Sequence, residues 1–311
     1  MSEFHHVSVL LEECIEGLAI KPDGIYVDGT LGGAGHSSRI AASLTTGRLI
    51  GIDRDPVALK AAGERLKPYA DRVTLVHSNF CEIKQVLQDL NIDGVDGILL
   101  DLGVSSPQLD DGARGFSYMA DAPLDMRMNS EDSLTAHTVV NTWPQEELKR
   151  ILYTYGEERY SPQIAAAICR RREEKPIETT LELVDVIRSA MPAAALREKQ
   201  HPAKRSFQAI RIAVNDELGS VEKVMRDAIP ALNPGGRLAI ITFHSLEDRI
   251  VKQGMADAAK RCTCPPNFPV CVCGKKPKVK IISRKPITST DEELERNPRA
   301  RSAKLRVCEK I

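Results

Sequence analysis

The chain has 311 residues, 42% of them hydrophobic and 28% charged, a composition that excludes a disordered or fibrous protein and suffices for one large domain or two smaller ones. Its 43 basic and 43 acidic side chains cancel, so any affinity for nucleic acid must come from local clusters of charge. No apolar run reaches the ~18 residues of a membrane helix, and the first residues lack the layout of a signal peptide, so we expect a cytoplasmic protein with no membrane partner and with reduced cysteines.

Short aliphatic runs alternate with helix-like stretches from residue 25 onward, a pattern typical of a parallel sheet covered by helices on both faces. The predicted strands are residues 25–30, 48–53, 73–77, 95–101 and 236–243, and the predicted helices include 36–44 and 56–66. Near the end of the chain, the runs Val279–Ile282 and Leu305–Cys308 predict an antiparallel hairpin that closes one edge of the sheet.

The alternation stops after Gly103, where a stretch rich in helix formers, charge and spaced prolines begins. Residues 108–205 therefore predict an inserted helical domain for substrate recognition, while residues 1–107 and 206–311 together predict the sheet domain. After the insert, one face of a single predicted helix carries the apolar residues Phe207, Ile210, Val214, Leu218, Val221 and Val224.

A glycine-rich loop follows the first strand and predicts a binding site for a small ligand. The segment from Val27 to His36 reads VDGTLGGAGH, and glycine lets a backbone approach a ligand closely because it has no side chain and tolerates positive φ. A turn that only links strand to helix is the alternative. A nicotinamide-dependent oxidoreductase also stays open at this point, although the third glycine of the dinucleotide fingerprint is missing.

Acidic residues end three of the predicted strands, and an aromatic residue follows another. Asp53 stands eighteen residues after Gly35, near the ~20-residue spacing at which a carboxylate binds the ribose hydroxyls of an adenosine ligand. Capping of the next helix is the structural alternative for Asp53, as core packing is for Phe80, whose ring could otherwise stack on adenine. Because Asp28, Asp53 and Asp101 share one edge of the predicted sheet, a ligand site is favoured over three turn residues.

Four segments together carry a resemblance to a known family. They are Val27–His36, Asp101–Asp110 (DLGVSSPQLD), Thr242–Arg249 (TFHSLEDR) and Asn297–Ser302 (NPRARS), and they closely resemble the ribosomal RNA small subunit methyltransferase H family. The resemblance runs nearly end to end. It implies a Rossmann-like S-adenosylmethionine-dependent methyltransferase sheet with an inserted helical domain. The implied activity is methylation of N4 of a cytidine in 16S ribosomal RNA of the small ribosomal subunit.

The loop and the resemblance together indicate the residues that contact S-adenosylmethionine: Gly33, Ala34, Gly35, His36, Asp53, Phe80, Asp101 and Gln108. The exocyclic amine of cytosine is a poor nucleophile, since its lone pair is delocalised into the ring, and a hydrogen-bond acceptor on its N–H would help. The residues expected nearest that amine are Asp101, Ser106 and His244. Ser106 could instead only turn the chain into the insert, and His244 could only cap a strand end. A general base stays undetermined, since a neutral amine need not lose its proton before it attacks.

Basic clusters indicate where the expected partner, 16S ribosomal RNA in the small ribosomal subunit, would touch the insert and the tail. They are Arg170–Arg172, Lys204, Arg205, Lys275, Lys276, Lys278, Lys280, Arg284, Lys285, Arg299 and Arg301. Charge runs are more often solvated faces, and DNA, protein or a non-catalytic RNA-binding role stay open as alternatives, as does a homodimer.

Four cysteines near the end of the chain form a compositionally unusual segment. Cys262, Cys264, Cys271 and Cys273 could give four thiolates to zinc, but their gaps are tighter than the usual two to four residues. The function that the resemblance implies needs no such ion. We therefore expect a surface loop with no metal.

Overall fold

The computed structural model describes residues 8–105, 108, 111–262, 264, 270 and 273–311. It divides the chain into two compact units. The first, called the sheet unit, contains Met1–Gly103 and Leu218–Ile311, and the second, called the helical unit, contains Val104–Glu217. The sequence predicts boundaries at 107/108 and 205/206, whereas the two units divide at 103/104 and 217/218.

The described residues of the sheet unit form a sheet of seven strands. They are β1 (Ile25–Asp28), β2 (Arg48–Asp53), β3 (Val73–His77), β4 (Val95–Asp101), β5 (Leu232–Thr242), β6 (Val279–Ile281) and β7 (Lys304–Lys310), in the order β3-β2-β1-β4-β5-β7-β6. Strands β1 to β5 pair in parallel, whereas β7 pairs antiparallel with both β5 and β6. The predicted parallel sheet and the predicted antiparallel hairpin at its edge are both confirmed.

The helices fall into two groups. The sheet unit carries α1 (Leu11–Leu18), α2 (Gly35–Ser43), α3 (Pro56–Arg65) and α4 (Ile83–Asp89) before the insert, and α11 (Glu217–Ala231), α12 (Ser245–Ala259) and α13 (Asp291–Arg296) after it. The helical unit contains α5 (Ala136–Thr142), α6 (Gln145–Thr154), α7 (Ser161–Glu174), α8 (Thr180–Ser189), α9 (Ala193–Leu196) and α10 (Lys204–Asn215).

Both faces of the sheet are buried, because neighbouring residues of a strand point to opposite sides. Tyr26 and Leu99 pack in one apolar cluster with residues of α1 and α2, while Val27 and Leu100 pack in a second cluster with residues of α4, α11 and α12. This arrangement explains the nearly continuous apolar runs of the parallel strands. It also confirms the predicted α/β class.

One helix prediction is wrong. The apolar face predicted from Phe207 to Val224 belongs to two helices, α10 and α11, separated at Asp216, which has a left-handed backbone with φ 45°. Phe207 packs in the core of the helical unit, whereas Val224 packs against the sheet. The first helix packs in one core and the second in another, but the apolar residues keep almost the same 3.6-residue spacing across the break. The spacing alone therefore could not reveal where one helix ends and the next begins.

Strand β5 begins earlier than predicted. The predicted strand starts at residue 236, whereas β5 starts at Leu232 and so also contains Gly235. There the pairing with β4 shifts register between Val95 and Gly97, and Gly235 adopts φ 77°. A glycine with positive φ is typical of such an irregularity, which interrupts a ladder without ending the strand.

Candidate active site

Three carboxyl groups meet at the carboxyl edge of the sheet. Asp28, Asp53 and Asp101 are the last residues of β1, β2 and β4, which are adjacent and parallel. The chain order reverses between β1 and β4, and open α/β sheets bind ligands at such a switch point. The structure therefore brings together the three acids that the sequence placed at one edge.

The glycine-rich loop is held against these strand ends by backbone hydrogen bonds. Gly29 N–H donates to the Leu99 carbonyl (2.9 Å), and Leu31 N–H donates to the Ile52 carbonyl (3.1 Å). A side chain on Gly29 would put its Cβ 2.5 Å from Leu100 Cδ2, so no larger residue fits there without a shift. Loop and sheet thus form one surface.

The end of the loop prepares the start of α2 for a ligand. Gly32 and Ala34 have left-handed backbones, with φ of 46° and 56°, and strain of this kind at a non-glycine residue is typical of functional sites. Ala34 is the N-cap of α2 but has no side-chain oxygen to cap it. A helix start that lacks a capping side chain offers N–H groups and a positive dipole to a negatively charged ligand group.

Asp53 organises the loop through two backbone N–H groups. Gly32 N–H donates to Oδ2 and Asp55 N–H donates to Oδ1, each at 2.8 Å. Burial raises the pKa of Asp53 to about 6, and these hydrogen bonds oppose the rise. The helix-cap alternative for Asp53 is wrong, because Asp55 caps α3 by accepting from Val57 N–H. The sequence held a signal for this, since Asp followed by Pro is typical of a helix start.

Asp28 is almost completely buried and is fully engaged inside the loop. Ser37 Oγ–H donates to its Oδ2 (2.6 Å), and Thr30 N–H donates to its Oδ1 (3.2 Å). Burial raises the pKa of Asp28 to about 6, while both hydrogen bonds lower it. Asp28 therefore holds the loop in place through these hydrogen bonds, which engage both of its carboxyl oxygens. The sequence did not predict its partner Ser37.

Asp101 is the third acid at this edge, and one of its carboxyl oxygens is buried. Among the described residues, its buried Oδ1 has no hydrogen-bond partner, although the side chain as a whole is 25% exposed. Burial, followed by the charges of Asp28 and Glu247, raises the pKa of Asp101 to about 8. A buried polar atom without a partner is costly, so its presence at a ligand-binding edge points to a ligand that satisfies it.

His36 is a buried neighbour of Asp101. Its Nε2 lies 3.0 Å from the Val9 carbonyl oxygen, and its Nδ1 lies 3.9 Å from Asp101 Oδ2. Because a carbonyl oxygen can only accept, Nε2 carries the proton of this hydrogen bond. The ring is thereby fixed with Nδ1 toward the carboxyl group.

Phe80 lies beside the loop and also packs in the core. It begins a short 3-10 helix, whose cap is the Asn79 side chain accepting from Cys81 N–H. Its Cβ is 3.0 Å from the position that a Cβ on Gly29 would take, and its ring packs partly against the apolar cluster of α4 and α11. Core packing and contact with a ligand at the loop are therefore compatible.

His244 caps a helix. It follows β5 as the N-cap of α12, and its Nδ1 lies 3.5 Å from the Glu247 N–H that it accepts from. In return, the buried Glu247 carboxylate accepts from the N–H groups of Phe243 (2.9 Å) and His244 (3.4 Å). This reciprocal capping box was missed from the sequence because histidine stands where serine or threonine usually does.

Gln108 belongs to the helical unit. Gln108 is buried, accepts from Ser105 N–H (3.1 Å) and places its amide nitrogen 3.5 Å from the Met128 carbonyl. Ser106 lies outside the described residues. The cofactor role of Gln108 and the catalytic role of Ser106 both stay predictions.

Comparison with known proteins identifies the family. The MraW methylase family matches residues 3–311 of the chain. The chain belongs to this family. It is 61% identical over 309 residues to the Ribosomal RNA small subunit methyltransferase H of Brevibacillus brevis, covering 99% of this chain and 98% of that protein. Proteins of the same name from Heliobacterium mobile and Clostridium botulinum are 58% and 60% identical to this chain. Each of these two alignments covers 99% of this chain and 100% of the relative.

Membership of the MraW methylase family confirms the resemblance that the motifs carried. It confirms an enzyme of the methyltransferase class that takes its methyl group from S-adenosylmethionine, and the oxidoreductase alternative is wrong. Within the described part of this MraW methylase, no helix is both long and apolar enough to cross a membrane.

Proposed function

We propose that this MraW methylase transfers a methyl group from S-adenosylmethionine to N4 of a cytidine in 16S ribosomal RNA of the small ribosomal subunit. The main support for this proposal is the sequence identity of 58–61%, over nearly the full length, to proteins named Ribosomal RNA small subunit methyltransferase H. The choice of a cytidine and of its N4 atom rests on the resemblance of the motifs.

The residues at the sheet edge fit S-adenosylmethionine. Asp101 Oδ1, which has no hydrogen-bond partner among the described residues, can accept from the amino group of the ligand, and the positive dipole at the start of α2 favours its carboxylate. In this proposal the backbone of Gly33, Ala34 and Gly35 lies against the ligand. Asp53 accepts from the ribose hydroxyls and Phe80 covers the adenine.

When bound, S-adenosylmethionine supplies an electrophilic methyl carbon on its sulfonium. The chain contributes mostly by position and by exclusion of water, because a methyl transfer in line needs no covalent intermediate with the enzyme. His36 lies beside the Asp101 carboxyl group, with Nδ1 3.9 Å from Oδ2, a separation too long for a hydrogen bond. The ionised form of Asp101 would attract a cationic ligand and could also accept a hydrogen bond from the attacking amine.

Asp101, Ser106 and His244 are the proposed residues nearest the amine, with Gln108 at the methionine end of the cofactor. The capping role of His244 ties one ring nitrogen to α12, so a part in catalysis would have to use its Nε2, which lies 3.0 Å from Glu247 Oε1. Its removal should therefore also disturb the start of α12. A cytoplasmic location and a homodimer stay predictions.

The test is to incubate the enzyme with isotopically labelled S-adenosylmethionine and unmethylated small ribosomal subunits, then digest the RNA and analyse its nucleosides by mass spectrometry. We expect label in N4-methylcytidine, none with Asp101→Ala, and full activity with Asp185→Ala, an exposed acid on α8. Label in another nucleoside, or in protein alone, would contradict the proposed substrate.

A further inference from the structure

Three cysteine sulfurs converge in the sheet unit, far along the chain from the residues proposed to bind S-adenosylmethionine. The Sγ atoms of Cys262, Cys264 and Cys273 all lie within 4.8 Å of one another. Cys262 and Cys273 are exposed, and Cys264 is half-buried. The sequence spacing alone did not favour a metal, because Cys-x-Cys gaps are shorter than most zinc-binding gaps.

The distances match thiolates around one ion. Four sulfurs at the Zn–S distance of ~2.3 Å from a tetrahedral zinc stand ~3.8 Å apart along each edge. Cys262 Sγ and Cys273 Sγ are 3.7 Å apart, which is close to that edge and much longer than the ~2.05 Å of a disulfide bond. The backbone therefore already brings these side chains to the separation that a shared ion requires.

A backbone donor supports a thiolate at this place. Cys264 N–H donates to Cys262 Sγ at 3.3 Å, across the short gap between the two cysteines. Hydrogen bonds from N–H groups to metal-bound sulfur stabilise the thiolate charge and orient the ligand. Thus the tight Cys-x-Cys spacing, which looked unfavourable in the sequence, lets the second residue of the pair assist the first.

The cysteines belong to the long connection between α12 and β6, residues 260–278. The base of this connection is closed by Lys278 N–H donating to the Ala258 carbonyl (2.8 Å), and by Lys275 Nζ donating to the Asp257 carbonyl (3.0 Å). Cys262 and Cys264 follow the end of α12 and Cys273 precedes β6, so an ion shared by their sulfurs would join the two ends of the connection.

We propose that Cys262, Cys264 and Cys273 form a structural site for a thiophilic divalent cation, zinc being the natural candidate, that ties the residues directly after α12 to those just before β6. The thiols bind as thiolates and each releases its proton to solvent. A fourth thiol, Cys271, stands two positions before Cys273 in the sequence and lies outside the described residues. Lys275 and Lys276 follow directly and offset the negative charge of a zinc–thiolate centre.

The first measurement is the metal content of the full chain, purified with reductant and without an affinity tag, by inductively coupled plasma mass spectrometry. We expect about one zinc per chain in the wild type and almost none in Cys262→Ser or Cys273→Ser. The matched control is Cys169→Ser, a cysteine of α7 in the helical unit, which should keep its zinc. Binding of S-adenosylmethionine by each variant verifies that it is folded.

The second measurement starts from the wild-type chain, so its first result needs no variant. Wild-type chain stripped with a chelator is titrated with Co²⁺, and absorption from thiolate-to-metal charge transfer and from tetrahedral Co²⁺ is recorded. In competition with a chelator, zinc affinity should fall in Cys273→Ser by more than the ~10–100-fold that loss of an outer-shell partner costs. Wild-type chain without zinc and without thiolate–cobalt absorption would overturn the site, as would a Cys262–Cys273 disulfide in protein freshly isolated from cells.

Discussion

Asp101 carries the strongest electrostatic signal of any residue at the sheet edge. Burial raises its pKa to about 8, and the charges of Asp28 and Glu247 add to the rise. A carboxyl group whose pKa is higher in the folded than in the unfolded chain binds its proton more tightly when folded. Its contribution to stability is therefore complete below the unfolded pKa of ~3.9 and is lost as the pH rises through about 8.

Replacing Asp101 by asparagine should stabilise the protein in the absence of cofactor. Asparagine cannot ionise, so the gain in melting temperature over the wild type should grow from about pH 5 to about pH 8 and then level off. Differential scanning fluorimetry across this range measures it, with Asp185→Asn as the exposed control. A gain that is equal at all pH values would contradict the raised pKa. If Asp101→Asn is more stable than the wild type but no longer methylates RNA, Asp101 serves function at the expense of stability, as site residues often do.

At the scale of elements, strand β7 is attached to α12 by a charged pair. Arg306, only 8% exposed, donates from Nε and Nη2 to the two oxygens of Asp248, at 2.7 and 3.1 Å. Burial would raise the pKa of Asp248, but the hydrogen bonds and charge of Arg306 prevail and lower it. Lys304 adds a weaker contact, with Nζ 3.7 Å from Asp248 Oδ2.

Loss of this pair should be costly. Arg306→Ala leaves the poorly exposed Asp248 carboxylate without its partner, and we expect the free energy of unfolding to fall by about 3 kcal/mol. Urea unfolding at neutral pH measures the loss. Lys304→Ala, which removes the exposed and more distant cation, should cost less than about 1 kcal/mol. Equal costs for the two variants would show that Arg306 contributes only as an exposed charge.

Helices and strands were predictable from the sequence where a single physical cause, such as burial of both faces of a strand, set the residue pattern. The parallel strands were found from their apolar runs because each is buried on both faces, and the strand ends gave Asp53 and Asp101 directly. The division between α10 and α11 was not predictable, since two different cores continue one apolar period. Likewise, the pairing of Asp28 with the Ser37 hydroxyl depends on which side chain reaches it in the folded loop, and sequence spacing alone does not fix that.

At the scale of the whole molecule, a net charge of zero hides a local excess of cations. Lys276, Lys278 and Lys280 are all exposed and lie just before and within β6. A protein that neutralises phosphates releases counterions from the nucleic acid, so the salt dependence of binding counts those contacts. If the proposed RNA substrate is correct, these lysines are candidates for such contacts.

Lys276→Gln with Lys278→Gln should weaken binding of 16S ribosomal RNA at low salt. The slope of log affinity against log salt concentration should become shallower by roughly 2, about one unit per lost phosphate contact. Fluorescence anisotropy over a series of salt concentrations measures this slope. A control pair on other surfaces, Lys84→Gln with Lys149→Gln, should leave it unchanged. An unaltered slope in the Lys276→Gln, Lys278→Gln variant would show that these lysines do not contact the RNA phosphates.

In the proposed function, S-adenosylmethionine binds at the carboxyl edge of β1, β2 and β4. Calorimetric titration of the cofactor into Asp53→Asn, beside wild type and the control Asp185→Asn, tests it most directly. Loss of charged hydrogen bonds to the ribose predicts roughly 10–100-fold weaker binding in Asp53→Asn and no change in the control. Equal affinity in all three proteins would contradict the placement of the cofactor.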